Sequence, residues 1–241
     1  MTSVSKRRVA VLVPCYGDGA RLGEVIRDLR QVFAEREVVV YVVDDGSVNP
    51  LALQSDGGTT SFRLRVLRHI INLGQGAALE TARRAAVADG AQVVLTVDAD
   101  GQHSAADALR LVEAIESGAD VAVGNRFGGQ SNTPSLRAII LACARIFEML
   151  LTRRLFGDAH NGLRAFSFEV ASRLRIEHAR MAHGTGIMLA LCRMRPTLRI
   201  VEVPVTITYT AATLAKGQRA SGAFTIVGDL LAHALFRPAS K

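Results

Sequence analysis

The sequence predicts an α/β fold, with a mostly parallel central sheet flanked by helices. Three observations predict it. Short, β-branched apolar runs alternate with segments whose apolar residues recur at helical spacing, the pattern of parallel strands joined by crossover helices. Three of these runs stop abruptly in polar clusters: Asp44-Asp45, Asp98-Ala99-Asp100 and Asn125-Arg126. Ligands of open α/β sheets bind beyond the carboxyl ends of the strands, so the three clusters converge on one functional edge.

The elements follow in order. VAVLV (9–13) reads as a buried strand ended by Pro14. Residues 20–35 form a helix with Leu22, Val25, Ile26, Leu29, Val32 and Phe33 on one face. EVVVYVVDDGS (37–47) is a second strand and turn, and LQSDGGTTS (53–61) an exposed loop. FRLRVLRHI (62–70) alternates apolar and basic residues, which fits a half-exposed strand. Residues 74–88 are Ala-rich and helical, 91–100 a buried strand, 104–117 an amphipathic helix and 119–127 a further strand. GGQSNTPS (128–135) is the best internal boundary; there is no internal repeat and no low-complexity segment.

Composition narrows the function. A chain of 241 residues that is 49% apolar and 21% charged can bury a sizeable core, which excludes a disordered or fibrous protein. Trp is absent and aromatics are 5%, so no base-stacking platform and no nucleic-acid partner is expected. The net charge of +7 is unevenly spread: residues 1–136 carry −2 and residues 137–241 carry +9. That basic excess points to a phosphate-rich acceptor or an anionic membrane surface. Cys15, Cys143 and Cys192 are odd in number and widely spaced, which excludes a disulfide framework and fits a reducing cytoplasm. The N-terminal apolar run is too brief for a signal peptide, and no uncharged stretch reaches the roughly 18 residues of a transmembrane helix.

The central motif is Asp98-Ala99-Asp100. Two carboxylates leaving a buried strand two residues apart can project together where the chain turns. Oxygen pairs of this kind suit Mg²⁺ or Mn²⁺, which share their shell with a substrate diphosphate and stabilise it as a leaving group. The second motif is Val42-Val43-Asp44-Asp45-Gly46-Ser47. Asp45 is placed to accept a hydrogen bond from a ribose hydroxyl or a base N–H; an acid there also suits a plain turn or helix cap. Gly17, Gly19 and Gly23 sketch a dinucleotide fingerprint and leave a nicotinamide-dependent oxidoreductase open. Against that reading, Pro14-Cys15-Tyr16 lengthens the turn, and such an enzyme has no need of an acidic pair after a later strand.

VAVLVPCY, VVDDGS, NLGQGAAL (72–79), TVDADGQH (96–103), GNRF (124–127), DAHNGLRAFS (158–167) and VPVTITY (203–209) stand in the order found in family 2 glycosyltransferases. Over roughly residues 8–220 the chain resembles the branch of dolichol-phosphate mannose synthase and related polyprenyl-phosphate glycosyltransferases. The resemblance implies a GT-A type fold over 1–220 and inverting sugar transfer from a nucleotide diphosphate sugar. It places Pro14, Tyr16 and Asp45 in the nucleotide pocket, and Asp98 and Asp100 on the metal and diphosphate. Gln102 would touch the sugar or phosphate region, and Arg126 an anionic group of donor or acceptor. Asp158, Gly162 and Arg164 match an acceptor-side segment. Lys216-Gly217-Gln218 resembles a basic loop that closes over the diphosphate.

The departures carry chemistry. Gly17-Asp18 replaces the family's Asn-Glu after the first Tyr, which leaves the donor-base contacts open. HGTGIMLA (183–190) lacks a carboxylate often found there. A hydroxyl acceptor needs a general base, whereas a phosphate acceptor is already ionised, so the missing acid favours a lipid-linked phosphate. His183 is the alternative base, or simply structural. Residues 136–157 and 223–236 read as amphipathic helices with wide apolar faces, the latter within a C-terminal helical segment, 221–241. These faces suit a membrane interface, and equally the core or a homo-oligomer contact. The expected protein is thus a cytoplasmic glycosyltransferase, peripheral on the inner face of the membrane. The same chemistry on a hydroxyl acceptor, or a non-catalytic membrane adaptor, are the remaining alternatives.

Overall fold

The computed structural model describes residues 7–17, 19, 21–53, 55, 61–128, 157, 158, 161–177, 183–194 and 198–208. Among these residues seven strands form one sheet: β1 (Val9–Cys15), β2 (Val38–Asp44), β3 (Phe62–Arg68), β4 (Val93–Thr96), β5 (Val121–Asn125), β6 (Arg164–Ser167) and β7 (Ile200–Pro204). Among the described residues five helices accompany them: α1 (Leu22–Val32), α2 (Gln75–Ala88), α3 (Ala105–Glu116), α4 (Phe168–Arg173) and α5 (His183–Met194). The order across the sheet is β3-β2-β1-β4-β6-β5-β7.

β1 and β2 are buried on both faces, which is why VAVLV and VVVYVV read as continuous apolar runs. Alternate side chains feed two cores. Val9, Val11 and Val13 meet α1 and α3, with Leu29, Phe33, Leu111 and Ile115. Ala10, Leu12, Tyr41 and Val94 meet α2, α4 and α5, with Leu79, Ala82 and Leu191. The amphipathic patterns of α1 and α3 follow from this: one stripe is covered, the other wet.

Three features differ from the sequence expectation. β1 runs through Pro14 to Cys15 instead of ending at Pro14. The proline sits opposite Val43, and the Cys15 carbonyl accepts the Asp45 N–H at 2.8 Å, so the missing N–H leaves the end of the strand intact. β4 is shorter than 91–100, which frees Asp98 and Asp100 to lie in the loop beyond it. The third is topological. β6 enters antiparallel between β4 and β5, with Thr96 opposite Arg164 and Val123 opposite Arg164, and β7 then pairs parallel to β5. A dinucleotide fold would continue with parallel strands at that position. Among the described residues no helix is long and apolar enough to cross a membrane. Residues 136–156, the segment 221–241 with its helix 223–236, and Lys216 lie outside the described residues.

Buried and half-buried carboxylates also tie segments of the fold together. Tyr41 donates its hydroxyl to Asp89 at 2.7 Å, and Arg65 pairs with the same carboxylate. Burial disfavours the charge on Asp89, yet the bonds from Tyr41 and Arg65 outweigh it and hold the carboxyl below its usual range. Burial likewise opposes Glu80, but Arg83, Arg84 and the Ile176 N–H pull it down. Asp44 follows the same pattern, its burial outweighed by Ser47, Leu51 and Arg68. For all three, the folded state binds its proton less readily than the unfolded chain. Their stabilisation is therefore complete above the ordinary carboxylate pKa of about 4 and is lost as the pH falls through the lower folded values. Thermal melts between pH 3 and 7 should show a plateau above about pH 5 and a steep fall below about pH 4. A flat profile across that window would contradict the assignment.

Candidate active site

The loop after β4 is the centre of the carboxyl edge. Asp98 takes a hydrogen bond from Gln75 Nε2 on Oδ1 at 2.8 Å and has His103 Nε2 3.3 Å from Oδ2. Asp100 is held by its neighbour: Gln102 N–H donates to Oδ1 at 3.0 Å and Gln102 Nε2 to Oδ2 at 2.5 Å. Gly101 makes the turn between them at φ +70°, a conformation that L side chains rarely adopt. Burial, and then the negative charge of Asp98, push the Asp100 carboxyl above its ordinary pKa. Two carboxylates close enough to feel one another call for positive charge between them. Among the described residues there is no group of three or more His, Cys, Asp or Glu suited to a metal. Two protein carboxylates with the remainder from a diphosphate is the donor set that Mg²⁺ or Mn²⁺ commonly uses, so the residues present fit the cation.

The antiparallel β6 completes this centre. Thr96 Oγ1 donates to the Gly162 carbonyl at 2.6 Å, and the Arg164 N–H donates back to Thr96 Oγ1 at 3.2 Å. This register brings Gly162 against Asp98, so that a Cβ on Gly162 would overlap the carboxylate. Glycine is needed there for space. Gly162→Ala is expected to displace Asp98 and lower transfer at least about tenfold, with overpacking costing about 1–3 kcal/mol. A variant with unchanged kcat would show that Asp98 does not act from this position.

Arg126 and Arg164 are both buried, at 8% and 1% exposure. Arg164 starts β6 and lies at the same edge as Asp98, because an antiparallel strand begins where its neighbours end. Arg126 follows β5 and pairs with Asp158: its Nε is 2.5 Å from Oδ2, and its own N–H donates to the same oxygen at 3.1 Å. Asn161 Nδ2 adds a third bond at 3.2 Å, while its Oδ1 accepts the Leu163 N–H at 2.9 Å. The Asp158 carboxylate thus fixes Arg126 and the turn into β6. The sequence placed Asp158 on the acceptor side and missed this pairing, since nothing in the spacing of residues 126 and 158 signals it.

At the other side of the edge, Pro14 is buried in β1 and Tyr16 is 61% exposed just beyond it. Asp44 and Asp45 are 1% and 2% exposed. Asp45 faces inward. His69 Nδ1 lies 2.7 Å from its Oδ1, Leu73 N–H donates to Oδ1 at 3.0 Å, and Gly74 N–H to Oδ2 at 2.7 Å. Through these contacts the two oxygens of Asp45 organise the loop from β3 into α2. Gly46 has φ +71°, and a Cβ there would strike the Ile71 backbone, so the two loops are packed main chain to main chain. Lys216 lies outside the described residues, as does the side chain of His183. Gln75 and His103 are the residues at the centre to which sequence reasoning gave no role, although both stand within the quoted motifs.

Comparison with known proteins agrees with this geometry. The family model described as glycosyl transferase family 2 matches residues 10–175. An uncharacterized protein of Methanocaldococcus jannaschii is 26% identical over 98% of this chain and 96% of its own length. The polyprenol monophosphomannose synthase of Mycolicibacterium smegmatis is 26% identical over 97% of this chain and 86% of its own. The undecaprenyl-phosphate mannosyltransferase of Micrococcus luteus is 26% identical over 94% and 92%. Among solved structures, Mycobacterium tuberculosis glucosyl-3-phosphoglycerate synthase with Mn²⁺, UDP and glucosyl-3-phosphoglycerate superposes with a TM-score of 0.64 at 16% identity, covering 97% of this chain and 82% of that one. That likeness establishes the GT-A type α/β fold. The carboxyl-edge motifs, the antiparallel β6 and the family match together place the chain among the enzymes of glycosyl transferase family 2.

Proposed function

We propose that this glycosyltransferase moves a sugar from a nucleotide diphosphate sugar to a polyprenyl phosphate, with inversion at the anomeric carbon. The observation that carries the reading is the paired Asp98 and Asp100 at the carboxyl edge, backed by a glycine that leaves room for Asp98. The names of similar proteins support the acceptor: a polyprenol monophosphomannose synthase and an undecaprenyl-phosphate mannosyltransferase both belong to that chemistry.

Asp98 and Asp100 would hold Mg²⁺ or Mn²⁺, which when bound supplies the positive charge that makes the nucleoside diphosphate a good leaving group. Gln102 fixes Asp100 and lies beside the reacting phosphates. Pro14 and Tyr16 border the nucleotide, and Asp45 acts on it through the loop it organises. Arg126, Arg164 and Lys216 serve the anionic groups of donor and acceptor. An oxygen of the acceptor phosphate attacks the anomeric carbon as the bond to the diphosphate breaks on the opposite face. The acceptor is already ionised, so no residue has to take its proton.

A panel of nucleotide diphosphate sugars, screened by thermal shift with and without Mn²⁺, identifies the donor. The matched donor is then offered a polyprenyl phosphate and a set of hydroxyl acceptors. Metal-dependent formation of a lipid-linked sugar is the expected result. Transfer to a hydroxyl alone would replace the lipid phosphate as acceptor.

The enzyme would work peripherally at the cytoplasmic face of the membrane, where its basic C-terminal part meets anionic headgroups. Each well-placed Lys or Arg is worth about 1 kcal/mol there, an attraction that salt screens. The protein should pellet with anionic vesicles at low salt and leave them at high salt. Indifference to such vesicles at every salt concentration would remove the membrane from the reading.

A further inference from the structure

Asp98 is seated by two side chains from different parts of the chain. Gln75 is the first residue of α2, and its amide reaches Oδ1 at 2.8 Å. The start of that helix is itself fixed, because Asp45 binds the N–H groups of Leu73 and Gly74 just before it. His103 ends the loop and lies 3.3 Å from Oδ2, with its side chain only 5% exposed. Its backbone is anchored too: His103 bridges Ile207, and Thr208 N–H donates to the Gln102 carbonyl at 3.1 Å. If Nε2 carries the proton toward Asp98, Nδ1 is left as an acceptor, and among the described residues that buried nitrogen has no hydrogen-bond partner. A buried ring nitrogen left unmatched is a cost that core packing would avoid, and it is tolerated where the other nitrogen has a task.

We propose that Gln75 and His103 are positioning residues for Asp98: two donors on anchored backbones fix the two carboxylate oxygens in the orientation that receives the divalent cation. Each side chain donates to a different oxygen, so together they fix the orientation of the carboxylate. Gly162 closes the third side. The inference rests on the assignment of Asp98 and Asp100 as cation ligands.

Binding of Mn²⁺ alone, followed by the electron paramagnetic resonance signal of the free ion, tests it on the full chain. Gln75→Met and His103→Phe keep volume and remove the donors. Each is expected to weaken Mn²⁺ binding about tenfold or more, the usual effect of losing a group that orients a ligand. His103→Gln, which returns a donor at similar reach, should recover most of the affinity. The melting temperature without metal reports folding separately; should His103→Phe not melt cooperatively, His103→Ala takes its place. Wild-type affinity in Gln75→Met and His103→Phe, with binding lost in Asp98→Asn, would overturn the positioning role alone. Wild-type affinity in Asp98→Asn would overturn the cation assignment and the positioning role with it.

Discussion

Asp98→Asn and Asp100→Asn are each expected to lower sugar transfer by about 10²–10³-fold at saturating donor. The magnitude follows from what the pair would supply. A cation on a departing diphosphate contributes several kcal/mol of charge stabilisation, and every 1.36 kcal/mol is about tenfold in rate. Asparagine keeps the shape of the side chain and removes the charge that holds the cation. The loss should fall on kcat, since the charge on the leaving group grows as the bond breaks. The fold should survive, because both groups lie in a loop beyond β4 and neither is part of the core. For Asp100 the folded environment already resists ionisation, by burial and by the charge of Asp98, so removing its charge takes away a strain. Metal-free melting temperatures within about 2 °C of wild type are expected for both. Retained kcat in either variant would end the metal-assisted reading.

Asp158→Ala should produce the largest loss of stability. Asp158 is 4% exposed and is the anchor of Arg126, with the Arg126 and Asn161 nitrogens converging on one oxygen. Its removal takes away the carboxylate paired with the buried Arg126 guanidinium, and breaking a buried ion pair from one side costs about 3–5 kcal/mol. For a domain of this size that is a fall of about 6–20 °C in melting temperature. The double variant Arg126→Met with Asp158→Ala should recover part of the loss, since both charges of the pair are then removed together. A single variant that melts with wild type would mean that the pair contributes nothing to the fold and that Arg126 is held by its other surroundings.

Much of this was legible in the chain itself. Alternating apolar runs and amphipathic segments gave every element from β1 to β5, because burial on both faces of a parallel sheet leaves an uninterrupted hydrophobic signal. Abrupt stops in acids located the polar edge, since a strand end is where polar groups regain solvent. β6 and β7 gave no such signal. RAFS is four residues long, and its first residue is an arginine that only the interior of this fold accommodates.

The sequence by itself determined the class of fold and the polar edge at which Asp98 and Asp100 stand, because these follow from local patterning and residue chemistry. Only the tertiary structure decided how the residues are employed. It turned Asp45 inward to organise a loop, paired Arg126 with Asp158 across 32 positions of chain, and set Gln75, His103 and Gly162 around Asp98. Apart from His103, which is five residues from Asp98, these contacts join residues distant in sequence, and that of Gly162 with Asp98 is set by the antiparallel register of β6 on β4. A one-residue pattern carries no trace of such a pairing, because the distance between two side chains is set by strand register and not by their spacing along the chain.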